Sequence, residues 1–323
     1  MSFSGGTALK RSWHDRFAMN EPLYISVIIP TLDRPRYLSR TVADLQAQTY
    51  KNAEIIIVDQ SVEPEVFDSD EPCSLPMQTL RDSGRGAARA RNVGVLAAKG
   101  DILLFLDDDV EIPGTDFILQ HVRAYTDPSV GGTCGRTIEL RANIRRKAAF
   151  ISRPHVYPII CLPSGDASLE TQGFVNSVKG GNMSFRADVL RAVGGFDERF
   201  DFPCIYEETD VALKVCNRGH RILFCPQAVL NHIGAPSGGQ RMHVSNADRR
   251  FVAYRDRVLL FANNCPRWQF PLFLFGNLCL AARPLLQFRG REASRACAGL
   301  YTGIRKYLLS GKSTQSHVEG RVG

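Results

Sequence analysis

Three adjacent carboxylates, Asp107, Asp108 and Asp109, close the apolar run Ile102-Leu103-Leu104-Phe105-Leu106. Such a run reads as a strand buried on both faces, as in the interior of a parallel sheet. Three anions so close together repel one another unless water, hydrogen-bond donors or a cation neutralises them. Ligands of open α/β sheets bind just outside the carboxyl ends of the strands. Place and chemistry therefore agree on a hard-cation site, with Mg²⁺ or Mn²⁺ holding phosphate oxygens. An acidic, solvated β-turn is the competing reading of the triplet alone.

Other residues carry chemistry of a compatible kind. Asp59 ends a second buried strand, Glu54–Val58, where a carboxylate can accept a hydrogen bond from a nucleobase imide or a ribose hydroxyl. Asp33, after the first strand, has the same geometry. The segment Gly84–Gly94 combines small residues with Arg85, Arg89 and Arg91 where a helix starts. Helix N-termini attract phosphate, and Arg adds charge and bidentate bonding. The same segment also reads as a small-residue helix packed on a sheet with its arginines in solvent. Glu207, Glu208 and Asp210 open a helix; acids there favour the helix dipole, and one beside a cleft can act as a general base. His232 precedes the Gly-rich stretch Gly234–Gly239 and is a candidate ligand for a metal or a phosphate.

These residues need elements to position them. A βα alternation is predicted from Tyr24: strands at 24–29, 54–58, 77–80 and 102–106, and helices at 35–48 and 87–98, with a Pro-, Asp- and Glu-rich loop over 60–75. Repeated βαβ units imply a parallel sheet with right-handed crossovers. The middle is mixed: strands at 130–139, 182–186, 221–225 and 228–230, a helix at 187–193 stopped by Gly194-Gly195, and an irregular stretch over 141–178. The expected organisation is a leader (1–22), a catalytic domain (23–240, with halves 23–125 and 126–240) and a helical extension (241–323). Trp268–Ala282 is fifteen nearly apolar residues, short for a spanning helix of ~20. With Arg267, Arg283, Arg289 and Arg291 beside it, the segment suits an anionic membrane interface; a buried helix or dimer contact is the alternative.

The 323 residues, 44% hydrophobic and 23% charged, suffice for a real core. The net charge of +7 is uneven: residues 1–240 hold 26 basic and 29 acidic side chains, residues 241–323 hold 14 and 4. A basic tail suggests an anionic partner. Nine scattered cysteines, without a C-x-x-C pair, fit reduced thiols in a cytoplasmic protein better than a disulfide framework or a zinc site. Met1–Asn20 lacks the apolar core of a signal peptide.

Taken together, the segments resemble the family 2 glycosyltransferases of GT-A fold. The resemblance rests on Ser26–Thr31 with Asp33-Arg34, on Glu54–Ser61, on Ala90–Gly94 through Phe105–Asp109, on Gly180–Arg186, on Gly194–Glu198 and on Glu207-Glu208. It spans residues 24–240. It implies a Rossmann-like α/β fold, a mostly parallel sheet flanked by helices. It also implies inverting transfer from a nucleoside-diphosphate sugar to a hydroxyl of a glycan or polyprenyl-linked acceptor in polysaccharide assembly. By the same resemblance, Thr31, Asp33, Asp59, Arg91, Asp107 and Asp108 contact the nucleotide, and Gly180, Gly181 and Asn182 line the donor and acceptor side. Asp109, with Asp107 and His232, serves Mg²⁺ or Mn²⁺. Glu208 is the base; it stands where the family usually has Asp, and Glu207 is the other candidate. The expected location is the inner face of the cell membrane, with no nucleic-acid partner. A catalytically silent sugar-nucleotide-binding protein is the alternative. A D-x-D phosphatase fits poorly, because Glu111 stands where its motif carries Thr or Val.

Overall fold

The computed structural model describes residues 21–63, 74–140, 170–239 and 245–309. The expected leader, the tip of the 60–75 loop and most of the 141–178 stretch lie outside these residues. Nine strands form one mixed sheet in the order β3-β2-β1-β4-β8-β6-β9-β5, with β7 paired to β9. Strands β1 (Ile25–Thr31), β2 (Ala53–Asp59), β3 (Met77–Arg81) and β4 (Ile102–Leu106) are mutually parallel. This half follows the βαβ pattern. Helices α1 (Pro35–Gln46), α2 (Ala87–Ala97) and α3 (Phe117–Ala124) belong to its connections and flanks.

The apolar runs are buried on both faces. Val27, Ile29, Ile55, Ile57, Leu104 and Leu106 join a core with Leu38 and Leu45 of α1 and Phe117 of α3. Their neighbours Ile28, Ile56, Val58, Leu103 and Phe105 point the other way, into a core with Ala88, Ala90 and Val95 of α2. The period-2 alternation of β-carbons sorts one continuous apolar string into two cores.

The second half is antiparallel where it meets the first. β8 (Asn182–Arg186) runs opposite to both β4 and β6 (Val130–Glu139). β9 (Arg221–His232) is parallel to β6 with a register shift at Gly135/Arg136. The expected strands 221–225 and 228–230 are thus one bulged strand, whose far end pairs with the two-residue β5 (Val110–Glu111). β7 (Gly173–Val175) falls in the stretch expected to be irregular; three residues carry no usable period. Helices α4 (Ala187–Ala192) and α5 (Glu207–Asn217) complete this half.

Among the described residues, the extension has three α-helices: α6 (Asn246–Asn264), α7 (Phe270–Ala282) and α8 (Gly290–Leu309). They have their own core of Tyr254, Val258, Leu259, Phe261, Phe273, Ala281, Ala296 and Leu300, which also takes in Phe200 and Leu213 of the catalytic half. α8 lies very close to α6: a Cβ at Gly303 would sit 2.5 Å from the Arg255 carbonyl oxygen. The seven cysteines among the described residues are free thiols.

Candidate active site

Asp59 and Asp107–Asp109 sit at the carboxyl ends of the parallel strands β2 and β4. The three acids after β4 do not act alike. Asp108 turns inward, almost fully buried, and accepts from Thr31 Oγ1 at 2.8 Å and Arg34 Nη1 at 2.9 Å. Burial pushes its pKa up to about 6 against the pull of Arg34. Asp107 and Asp109 turn toward His232, and one ligand atom from each of the three lies within 4.8 Å of the others. His232 Nε2 is 3.2 Å from Asp109 Oδ1 and 3.8 Å from Asp107 Oδ2. Asp109 stays ionised against its own burial through His232, Arg34 and the Ala235 amide, which donates to it at 2.7 Å.

The histidine is held from behind. Its Nδ1 lies 2.7 Å from Glu139 Oε2, and Glu139 Oε1 accepts from Lys179 Nζ at 2.8 Å. Burial lowers the pKa of His232, but the two carboxylates more than offset this and raise it to about 9. Two carboxylates and an imidazole that would give up its Nε2 proton on binding, its other nitrogen held by a carboxylate, form a donor set that fits a divalent cation such as Mn²⁺ or Mg²⁺. Gly181 leaves the room this needs: a Cβ there would lie 2.4 Å from Asp107 Oδ2.

Two cavities meet at Thr31. One, of about 420 Å³, is lined by Thr31, Asp33, Leu38, Ile57, Asp59 and Thr79. Asp59 accepts from the Ser61 amide at 2.8 Å and pairs with Arg81. The other, of about 350 Å³, runs from Thr31 and Asp107–Asp109 past Gly180, Gly181 and Lys179 to Glu207 and Glu208. Arg91 is buried between the acids, 3.0 Å from Glu207 Oε1 and 3.8 Å from Asp107 Oδ1. Burial works against the charge on Glu207, yet Arg91 holds its pKa below the ordinary carboxylate value. Glu208, partly open to the cavity, goes the other way: burial and then the Glu207 charge raise its pKa.

Most of the expected site residues therefore converge on one cleft. Asn182 does not line it. Its side chain is fully buried, accepting from His121 Nε2 at 3.0 Å and donating to the carbonyls of Arg136 and Ala228, each at 3.0 Å. It fastens β8 to β6 and β9 and so fixes the two glycines before it. Nor does Arg91 stand on a solvent face; it is the ionic hub of the cavity wall. Arg34, which stands with Asp33 in the resemblance, receives no role from the sequence, and Glu139 and Lys179 are not singled out there. Arg34 ties Asp108 to the carbonyls of Ser237 and Gly238, at 2.8 and 2.9 Å. Glu139 and Lys179 form the support of His232. Glu139 ends a strand as Asp59 does, and that signal was legible.

The sheet order and the acidic strand end are arranged as in the GT-A fold. Residues 26–177 match the model of the family described as Glycosyl transferase family 2. Over that stretch, a little under half of the chain, the sequence is similar to the family 2 glycosyltransferases. It is 28% identical over 218 residues to a glucosyl-dolichyl phosphate glucuronosyltransferase of Haloferax volcanii, covering 64% of this chain and 68% of that one. It is 22% identical over 217 residues to the O-antigen chain rhamnosyltransferase RfbN of Salmonella typhimurium, covering 64% and 66%. Two longer curated relatives are matched over only 30% and 17% of their own length. Among solved structures, a mannosyltransferase from Pyrobaculum calidifontis in complex with GDP-Man and Mn²⁺ shares the fold. Its TM-score is 0.53 at 17% identity, over 90% of this chain and 88% of that one.

Proposed function

We propose that the cleft transfers a sugar, with inversion, from a nucleoside-diphosphate sugar to a hydroxyl of a glycan or polyprenyl-linked acceptor in cell-surface polysaccharide assembly. The observation that carries this reading is the unequal pair of glutamates. Arg91 keeps Glu207 ionised and engaged, while Glu208 faces the cavity with raised proton affinity, as a general base requires. Glu208 takes the proton of the acceptor hydroxyl as that oxygen bonds to the anomeric carbon. The bond from that carbon to the phosphate oxygen breaks, and the nucleoside diphosphate leaves with the electron pair. Asp107, Asp109 and His232 would hold Mg²⁺ or Mn²⁺, which supplies positive charge for the departing diphosphate. The cavity around Asp33 and Asp59 would take the nucleoside.

The test is a panel of UDP-, GDP- and dTDP-sugars followed by thermal shift and calorimetry, in Mn²⁺ and in EDTA. Stabilisation by one donor in Mn²⁺ is expected. Equal binding in EDTA would sink the metal assignment. Glu208→Gln keeps donor affinity and loses transfer; a variant that still turns over refutes the base.

The extension supports a peripheral membrane location on the cytoplasmic side. Arg267–Gln287, 21 residues that include an 18-residue window of mean hydropathy 1.2, is long and apolar enough to cross a bilayer by length and composition. Helical turns at both ends lengthen the segment beyond the fifteen residues evident in the sequence. However, Phe273, Gly276, Asn277 and Ala281 are buried against the protein, and Asn277 Oδ1 accepts from Arg257 at 2.6 Å. The outward face is apolar too, with Leu272, Phe275, Leu278, Leu286 and Phe288 exposed. Lying in the interface with its neighbouring arginines at anionic headgroups satisfies both faces. Phe275→Ser/Phe288→Ser should abolish co-flotation with phosphatidylglycerol vesicles at unchanged melting temperature. Undiminished flotation, or a dimer that this pair of changes dissociates, argues against the bilayer.

A further inference from the structure

The residues that line the acceptor side of the cleft, Phe202, Cys204 and Ile205, sit on the short segment that leads into Glu207 and Glu208. Its backbone is fastened from outside the catalytic half. Asp256 on α6, with no exposed surface, accepts from the Ile205 amide at 2.9 Å. Its neighbour Arg255 donates to Asp256 at 2.6 Å, and also to the carbonyls of Asp201 at 3.0 Å and Pro203 at 2.8 Å. Lys306 on α8 adds contacts to Asp201 and to the Arg199 carbonyl. One buried ion pair on the extension thus engages three of the five backbone units between residues 201 and 205.

We propose that the Arg255–Asp256 pair is a positioning device for Glu208, so that the C-terminal helices form part of the acceptor side of the catalytic centre. The physical argument concerns where the segment could otherwise go. Tyr206, just before α5, has φ of 79°, a left-handed conformation that a side-chain-bearing residue keeps only when its surroundings enforce it. No side chain caps the helix that follows. The orientation of its first turn, which carries both glutamates, therefore depends on the anchored backbone ahead of it. Charge adds a second reason for a paired device: a lone aspartate or arginine buried on α6 would be costly, whereas the pair is mutually satisfied. The role assigned to Glu208 rests on the transfer reading above; the anchoring itself does not.

Three variants separate the outcomes. Arg255→Met/Asp256→Leu removes both charges together, so that no uncompensated charge stays buried. Asp256→Glu keeps both the counter-charge for Arg255 and an acceptor oxygen for the Ile205 amide, and serves as the rescue. Hydrogen exchange of the 201–206 peptide reads the anchoring without any substrate. The double variant should exchange there at least ~10-fold faster while the strand peptides stay protected, and Asp256→Glu should resemble the parent. For turnover, the probe is hydrolysis or transfer of the sugar nucleotide giving the largest thermal shift. The double variant should lose ~10–100-fold in kcat with its affinity for nucleoside diphosphate and Mn²⁺ within about twofold, since a misplaced base affects the reaction and not the donor. Lys306→Met, which removes the α8 contact alone, should fall between the two. Unchanged exchange in the double variant overturns the anchoring. Faster exchange with undiminished kcat overturns the positioning role. A parent protein that binds no nucleotide fails the transfer reading, and exchange still decides the anchoring.

Discussion

Gly181→Ala should weaken metal-dependent nucleotide binding without harming the fold. Gly181 has ordinary negative φ, so alanine is compatible with its backbone and should change stability by at most ~1 kcal/mol in the favourable direction. The new Cβ, however, would lie 2.4 Å from Asp107 Oδ2 and 2.7 Å from Asp107 Cγ. The glycine cannot yield easily, because the Asn182 amide beside it donates to the Lys179 carbonyl at 2.9 Å and the Asn182 side chain is fixed in the core. Asp107 must move instead, by roughly 1 Å to regain normal contact, and a shift of that size can cost ~10²-fold in function. We expect Mn²⁺-dependent affinity for nucleoside diphosphate to fall 10- to 100-fold, about 1.4–2.8 kcal/mol. The assay is calorimetric titration in Mn²⁺ and in EDTA beside a thermal melt. A variant with unaltered melting temperature and Mn²⁺-dependent affinity within twofold of the parent would show that Asp107 does not serve the cation.

Two further outcomes follow from buried charge. Arg91→Met leaves Glu207 and Asp107 without their shared cation and should cost ~3–5 kcal/mol in urea unfolding; a loss below ~1 kcal/mol would mean that water already neutralises the site. Adding Glu207→Gln should recover much of the stability while activity stays lost. His121 is buried, with Nε2 facing Asn182 and Nδ1 2.7 Å from Thr133 Oγ1, and burial lowers its pKa to about 4. The unfolded chain takes up the proton first, so the stability His121 contributes is complete above pH ~6.5 and is lost as pH falls toward 4, by up to about 3 kcal/mol. His121→Gln should flatten this loss, and parallel unfolding curves for both proteins between pH 7.5 and 4.5 would contradict it.

The parallel half of the fold was legible because its signals are local. Residues 55–58 and 102–106 are uninterrupted apolar runs, and only a strand covered on both faces accommodates them. The mixed half was less legible for a physical reason. β5 has two residues and β7 three, too short for any period, and both exist only because β9 offers an edge. The bulge that keeps β9 continuous across residues 225–229 follows from its pairing with β6, a contact far away in sequence.

The site divides along the same line. That the triplet would serve a cation could be argued from three adjacent carboxylates; which of them turns inward could not. Asp108 faces Thr31 and Arg34 because successive residues leaving a strand alternate sides, and Arg34 from the preceding loop occupies one of them. A single guanidinium there pairs with Asp108, stands 3.4 Å from Asp109 and holds the Gly-rich segment after His232. Arg34 therefore does for Asp108 and Asp109 what Arg91 does for Asp107 and Glu207. Each arginine compensates one carboxylate that points into the protein and leaves a neighbour facing the cleft. Asp107, Asp109 and Glu208 can stay near one another only because their partners Asp108 and Glu207 have been neutralised from behind. Counting acids in the sequence finds the five carboxylates; the two buried guanidinium groups decide which of them are left to do chemistry.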